Sequence, residues 1–254
     1  MPIKNSCLKN SVTICFISII CCWNLHLYAQ QDKTVIYLTF DDGPQMPGTS
    51  LVFNLMKALN TKATFFMVGQ HAAALHHPEI VDSIRNAYPL ILLGNHSYTH
   101  ANGLYRNFYK HPENAFEDFE KAQLSLAVPF RIVRLPGNSS WVRKGEVKSS
   151  PLTMPVSALL RQANYNVIGW DIEWSFDPVS ARPVESIDVM ERSIRHIVKI
   201  GHTHVAGHLV ILTHDRMFRR RDDLEKLKQF IKDLKKDPNY EFETLDHYPG
   251  LFVK

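Results

Sequence analysis

Two adjacent carboxylates at the end of an apolar run are the side chains of this sequence best placed for chemistry. Asp41 and Asp42 close the run 35–40 and are followed at once by the turn pair Gly43-Pro44. A β-type run that ends in two charges and a Gly-Pro turn places both acids at the mouth of a strand, where the chain leaves the core. Carboxylates in that position can ligate a cation or exchange protons with a bound molecule.

Two histidines, His96 and His100, lie four residues apart. In a helical turn this spacing projects both imidazoles from the same side, where they can bind one cation. Asp42 would complete a set of two nitrogens and one oxygen that leaves coordination positions open for water and substrate. We therefore predict a divalent metal site at these three residues. Zinc is the default, but iron, cobalt, nickel and manganese accept the same ligands.

Short apolar strands alternate with segments of helical periodicity from residue 35 onward. Strands are predicted at 35–40, 63–68, 90–93, 131–135, 166–170, 209–213 and 240–244, and helices at 50–59, 71–87, 112–126, 156–163, 184–200 and 222–234. This order is typical of a parallel sheet built from βα units, and about seven units can close into a barrel like that of triosephosphate isomerase. One α/β domain at 30–254, with an irregular loop at 137–155, is the simplest interpretation.

The unusual polar residues of the chain all follow predicted strands. They are Asp41 and Asp42 after the first strand, His96 and His100 after the third, Arg134 at the end of the fourth, Asp171 and Glu173 after the fifth, and His214 and Asp215 after the sixth. The carboxyl ends of parallel barrel strands converge on one face, so we expect these side chains to surround one cleft.

The N-terminal segment is predicted to be a secretory signal. Lys4 and Lys9 precede an apolar block at 12–23, and the stretch that follows ends in a cleavage pattern at Ala29. The block is shorter than the roughly 20 apolar residues that a membrane span needs, so no stable span is expected after cleavage. The sequence thus predicts a signal peptide at 1–29 and a secreted or periplasmic protein.

The composition of the remaining chain excludes several classes of site and partner. All four cysteines lie within 1–29, so the exported chain has neither a disulfide framework nor a thiolate metal site. Two of the 29 basic residues also lie there, which leaves 27 basic against 25 acidic residues. A nearly neutral chain gives no electrostatic argument for nucleic acid or an anionic membrane as partner. The oligomeric state stays open.

Four segments resemble, in order, the first, second, third and fifth motifs of one known family. They are TFDDGP at 39–44, HSYTH at 96–100, RLPG at 134–137 and LTH at 212–214. The family is that of the polysaccharide deacetylases with a NodB homology domain, carbohydrate esterase family 4, and the resemblance covers essentially all of 30–254. It implies a distorted (β/α) barrel that holds a metal and binds a carbohydrate polymer or oligomer.

The resemblance also implies a role for each motif residue. Asp41 would be the general base, and Asp42 with His96 and His100 would hold the metal. His214 would be the general acid, which suits a histidine because its pKa lies near working pH. Arg134 would orient Asp41 and hold it ionised.

The chain departs from the family pattern at the third motif, and this affects the expected substrate contacts. Gly137 stands where the third motif often carries an aromatic residue, although a backbone N–H near it would still help to stabilise an oxyanion. Leu212 would face the acetyl methyl group or fill the barrel.

The fourth motif, in the segment 170–177, permits more than one register. Asp171, Glu173 or Asp177 could be the carboxylate that raises the pKa of His214, and Asp171 is favoured because it is nearest the strand end. Trp174 would stack on a sugar ring or take part in ordinary packing.

These features together predict a hydrolase that removes acetyl groups from an N-acetylated polysaccharide by attack of a metal-activated water. Chitin-like oligomers and peptidoglycan glycan strands are the expected substrates. An esterase acting on O-acetyl groups of a xylan-type polysaccharide would use the same site. A carbohydrate-binding module that has lost catalysis on the same scaffold is a further alternative.

Overall fold

A curled sheet of ten strands lies at the centre of the part that the computed structural model describes, namely Met1 and residues 33–74 and 79–252. The strands are β1 (Thr34–Gly43), β2 (Ala63–Met67), β3 (Ile91–Asn95), β4 (Ile132–Val133), β5 (Trp141–Arg143), β6 (Glu146–Lys148), β7 (Asn166–Val167), β8 (Ile172–Glu173), β9 (His208–His214) and β10 (Tyr240–Phe242). Their order is β6-β5-β7-β4-β3-β2-β1-β9-β8, and β10 also pairs with β1. Only the hairpin of β5 and β6 runs antiparallel to its neighbours among these strands.

Helices cover the outer face of this sheet. They are α1 (Gly48–Ala58), α2 (Gly69–Ala74), α3 (Glu79–Asn86), α4 (Tyr105–Tyr109), α5 (Pro112–Ser125), α6 (Met154–Gln162), α7 (Ile187–Lys199) and α8 (Arg221–Lys236). In α8 the buried residues Leu227, Phe230, Ile231 and Leu234 recur at helical spacing, which gives the helix one apolar face. The Ser186 side chain caps α7 by accepting from the backbone N–H of Val189.

Strand alternation decides which side chains reach the interior of the curled sheet. In β1, Ile36, Leu38 and Phe40 belong to the apolar cluster that the sheet shares with the helices. Tyr37, on the opposite face, belongs to a second apolar cluster in the interior of the curled sheet. Asp41 lies on the inner side by the same period of two. β9 repeats this pattern, and its last residue, His214, is the register partner of Asp41.

Side chains close the gap between β6 and β8, the two strands at the ends of the strand order. The imidazole of His204 stacks on Trp141, with ring centroids 3.9 Å apart and planes 5° from parallel. Its Nε2 lies 3.0 Å from Glu146 Oε2, and its backbone N–H donates to Asp171 at 2.6 Å. The loop before β9 thereby joins the β5–β6 hairpin to the chain that enters β8.

The structure confirms the predicted α/β class and distorted barrel, and it corrects several details. All seven predicted strands are present, but β4 and β7 contain only two residues each. The predicted irregular loop at 137–155 contains the β5–β6 hairpin, and β8 and α4 were not predicted. The predicted helix at 71–87 is replaced by α2 and α3, with 75–78 outside the described residues.

The described residues include no helix that is both long and apolar enough to cross a membrane. The predicted signal peptide, apart from Met1, lies outside the described residues and stays a prediction.

Candidate active site

The neighbouring carboxylates Asp41 and Asp42 face the same cavity because β1 is irregular at its end. Strict alternation would send the two side chains to opposite faces of the sheet. The register of β1 with β2 shifts between Phe40 and Gly43, and Asp42 has a left-handed φ of 69°. A non-glycine residue in this region is uncommon and occurs preferentially at functional sites.

Asp42, His96 and His100 form a cluster whose ligand atoms lie within 4.8 Å of one another. Asp42 Oδ1 is 2.9 Å from His100 Nε2 and 3.3 Å from His96 Nε2. His96 Nδ1 donates to the backbone carbonyl of Arg134 at 2.9 Å, which directs Nε2 toward the cluster. One carboxylate oxygen and two imidazole nitrogens in this arrangement fit a divalent cation of the zinc type.

The electrostatics of the cluster also favour a cation. Burial raises the pKa of Asp42, but hydrogen bonds from His100 and His96 outweigh it and hold that pKa well below its usual range. Burial lowers the pKa of His96, yet the charge of Asp41 and the contact with Asp42 raise it overall. The negative field that retains a proton on a buried imidazole would equally attract a metal ion.

Asp41 is held by the guanidinium of Arg134, which is fully buried. Arg134 Nη1 donates to Asp41 Oδ1 at 2.9 Å and also to the hydroxyl of Thr39. Its other nitrogens donate to the carbonyls of Ile168 at 3.0 Å and Gly169 at 2.8 Å. The second oxygen of Asp41, Oδ2, lies 3.7 Å from His96 Nε2 and so faces the metal cluster.

His214 lies near the second carboxylate oxygen of Asp42, with its Nε2 3.8 Å from Oδ2. Its Nδ1 is buried without a hydrogen-bond partner among the described residues, and the ring packs edge-on against Phe176 at 4.8 Å. Burial lowers the pKa of His214, against the opposing charges of Asp42 and Asp41.

The prediction that Asp171 raises the pKa of His214 is wrong. Its carboxylate accepts from the backbone N–H groups of His204 at 2.6 Å and Val210 at 2.7 Å, so both oxygens are engaged in the barrel wall. Neither of the other two candidates forms an ion pair with His214. Asp177 accepts from the Ser180 N–H, and Glu173 lines the cavity, where burial and the charge of Asp41 raise its pKa.

The predicted substrate contacts are divided between the cavity and the core. Gly137 and Leu212 line a cavity of about 570 Å³ that also contains the metal cluster, Asp41 and His214. Trp174 is fully buried and donates from Nε1 to the carbonyl of Glu185, so stacking on a sugar is wrong and the alternative of ordinary packing is confirmed. Trp170, which is partly exposed, lines the cavity instead.

Several residues that line the cavity were not predicted from the sequence, and three of them contact residues of the metal cluster. The guanidinium of Arg216 contacts Asp42 Oδ2, and His71 Nδ1 donates to the carbonyl of Asp42 at 2.8 Å. Tyr105 packs edge-to-face on His100, with centroids 5.6 Å apart. Arg216 could have been suspected as a cation two residues after His214, whereas His71 and Tyr105 carry no local signal.

Comparison with known proteins gives a consistent result. Residues 28–139 match the family model described as polysaccharide deacetylase. A peptidoglycan-N-acetylglucosamine deacetylase of Bacillus cereus is 27% identical over 179 residues, which cover 70% of this chain and 59% of that protein. The putative polysaccharide deacetylase YheN of Bacillus subtilis is also 27% identical, over 75% of this chain and 62% of its own length. The chain thus spans about three fifths of these two relatives.

Solved structures extend the similarity to the whole fold. The polysaccharide deacetylase Bc1974 from Bacillus cereus is 25% identical, with a TM-score of 0.57, and the match covers 87% of this chain and 97% of that one. A Streptococcus mutans CE4 esterase shares the fold at 20% identity, with a TM-score of 0.63, over 84% of this chain and 87% of its own. Residues 28–139 thus match the polysaccharide deacetylase family, and the fold of the chain is that of the solved polysaccharide deacetylases and carbohydrate esterase family 4 enzymes.

Proposed function

We propose that this protein is a metal-dependent hydrolase that removes acetyl groups from an N-acetylated polysaccharide, either chitin-like oligomers or peptidoglycan glycan. The proposal rests above all on one observation: the donor set of Asp42, His96 and His100 lies directly beside the Arg134-bound carboxylate of Asp41. The names of the relatives, which are deacetylases of peptidoglycan N-acetylglucosamine and of chitooligosaccharides, support the substrate class.

Each residue has a role that follows from its contacts. A divalent cation, with zinc as the default, would polarise the acetyl carbonyl and acidify a water. Asp41 Oδ2 would accept the proton of the attacking water, while the hydrogen bond from Arg134 to Oδ1 fixes the direction of the carboxylate. The backbone N–H of Gly137, which lines the cavity, would donate to the oxygen that becomes negative. His214 would give a proton to the departing nitrogen.

An O-acetyl esterase of the xylan type is the second candidate, and one observation favours it. The pKa of His214 is lowered by burial, and its Nδ1 lacks an acceptor that would stabilise the imidazolium. Release of an amine depends strongly on a proton donor, whereas an alcohol is the easier leaving group. A histidine whose protonated form is disfavoured is therefore better suited to an ester than to an amide.

An acetate-release screen tests both candidates on the full chain. N-acetylglucosamine oligomers, peptidoglycan and acetylated xylan are offered after chelation and again after addition of zinc, cobalt, nickel, manganese or iron. We expect release from an N-acetylated substrate only after metal is restored. Asp42→Ala should remove activity and metal binding, while Asp188→Asn, at an exposed site on α7, serves as the carboxylate control.

Undiminished turnover in chelator would contradict the metal-dependent mechanism. Release from acetylated xylan alone would instead select the esterase. We also infer export to the periplasm or the medium from the predicted signal peptide. Cell fractionation with and without residues 1–29 tests that inference, and retention of both forms in the cytoplasm would contradict it.

A further inference from the structure

Tyr105 lies in the cavity but outside the four segments that resemble family motifs. Its ring is partly exposed and lines the central cavity together with the metal cluster. The same residue lines a neighbouring cavity of about 600 Å³, formed mainly by residues 103–110 with Leu152. Tyr105 therefore forms the ridge between the metal site and the groove beside α4.

An unusual backbone segment brings Tyr105 to this position. Four consecutive residues, beginning with the cluster residue His100, have left-handed φ angles: 52° at His100, 55° at Ala101, 48° at Asn102 and 75° at Gly103. Three of them are not glycine, and residues held in this region are conformationally costly unless the surrounding structure imposes them. The turn carries the chain from a predicted metal ligand directly into α4.

Gly137 provides the space that the Tyr105 ring occupies. The glycine has a φ of 65°, and a Cβ at this position would lie 3.3 Å from three atoms of the Tyr105 ring. The ring also meets the imidazole of His100 edge-to-face, with planes 85° apart. The aromatic wall of the cavity at Gly137 thus comes from a different element, one that also contacts a metal ligand.

We propose that Tyr105 is a substrate-contacting residue whose ring packs against a sugar unit of the bound polysaccharide. This inference rests on the proposed function for the class of ligand. An aromatic face with a polar hydroxyl end is suited to a pyranose, which offers an apolar face of C–H groups and hydroxyl groups at its edge.

The test compares Tyr105→Ala, Tyr105→Leu and Tyr105→Phe with Tyr109→Phe in the zinc-loaded full chain. Tyr109 lies on the same helix but is buried and donates to the carbonyl of Pro136 at 2.7 Å, so its variant controls for loss of a hydroxyl outside the cavity. Three quantities are measured: the KM and kcat for acetate release, the affinity for a glucosamine oligomer without acetyl groups, and the zinc affinity by competition with a chelator.

We expect Tyr105→Ala and Tyr105→Leu to raise KM and weaken oligomer binding about tenfold. Tyr105→Phe, which keeps the ring and loses only the hydroxyl, should show a smaller loss of about threefold. Tyr109→Phe should stay within about twofold of the unaltered chain, and all four variants should keep their zinc affinity within about threefold. Unchanged oligomer affinity in Tyr105→Leu would overturn the proposal. A loss of zinc affinity that parallels the loss of activity would also overturn it, because Tyr105 would then only support His100.

The oligomer titration separates this inference from the proposed function. If the unaltered chain released no acetate from any substrate, the proposed function would fail, whereas oligomer affinity in Tyr105→Leu would still decide the role of Tyr105. If Tyr105→Ala does not fold, Tyr105→Leu, which keeps an apolar side chain against His100, gives the result.

Discussion

Replacing Asp41 by asparagine should cost both stability and activity, because it leaves a buried guanidinium without its counter-charge. Arg134 is fully buried, and Asp41 is 3% exposed. Removal of one partner from a buried ion pair costs about 3–5 kcal/mol in unfolding free energy. The asparagine Oδ1 can still accept the 2.9 Å hydrogen bond, so we expect the lower end of that range, about 3 kcal/mol.

A double-mutant cycle with Arg134→Met isolates the ion pair from the other contacts of both side chains. Arg134→Met alone would leave Asp41 unpaired and remove the donors to Ile168 and Gly169. In the double variant no unpaired charge remains, so the two losses should fall short of additivity by at least about 2 kcal/mol. Urea unfolding in the presence of chelator measures all four proteins without a contribution from bound metal.

The role of Asp41 as general base is tested on the same variant below its unfolding transition. Asp41→Asn should bind zinc as the unaltered chain does, since the metal cluster consists of other residues, but should release no acetate. Normal turnover would refute the assignment of Asp41 as base. A loss of stability under about 1 kcal/mol, or full additivity in the cycle, would refute the electrostatic account of Arg134.

Three further predictions concern the metal, the pH dependence and the closure of the barrel. His100→Ala should lower zinc affinity by more than about 100-fold in a chelator competition, which is more than the loss of a residue that only contacts a metal ligand would cost. Equal affinity in the variant would remove His100 from the ligand set. Burial raises the pKa of Asp215 to about 7, so the folded chain keeps a proton that the unfolded chain loses above about pH 4. Stability should therefore fall between about pH 4 and 7 by about 2–4 kcal/mol, and urea unfolding in chelator should show that Asp215→Asn removes this fall; the same slope in both proteins would contradict the raised pKa. His204→Ala should cost about 1–2 kcal/mol in unfolding free energy through loss of its ring stacking and its contact with Glu146, whereas the exposed control His202→Ala should stay within about 0.5 kcal/mol; equal effects would refute closure by His204.

Much of the barrel could be predicted from local patterns. β1, β2, β3 and β9 are apolar runs buried on both faces, and such runs are evident in the sequence without any partner. β4 and β7 have only two residues each, and the β5–β6 hairpin lies where glycine, proline and serine accumulate. Pairing with neighbouring strands, rather than composition, makes these segments strands.

The candidate site, like the barrel, could be predicted only in part. Local patterns alone predict that Asp41, Asp42, His96, His100, Arg134 and His214 follow strands, and parallel strands bring such ends together. They could not determine the direction of each side chain, because direction depends on strand period and local backbone. Asp171 faces backbone N–H groups rather than His214, and Trp174 packs in the core rather than on a sugar.

The residues that complete the cavity become apparent only in the folded chain. Arg216, His71 and Tyr105 come from three separate elements, and only Arg216 has a local signal in the sequence. A left-handed residue at Asp42 and a left-handed turn after His100 set their neighbours' positions, and such conformations are imposed by packing rather than by residue type. The position of a strand end can therefore be predicted from nearby residues, whereas the cavity walls around it depend on contacts between segments far apart in the chain.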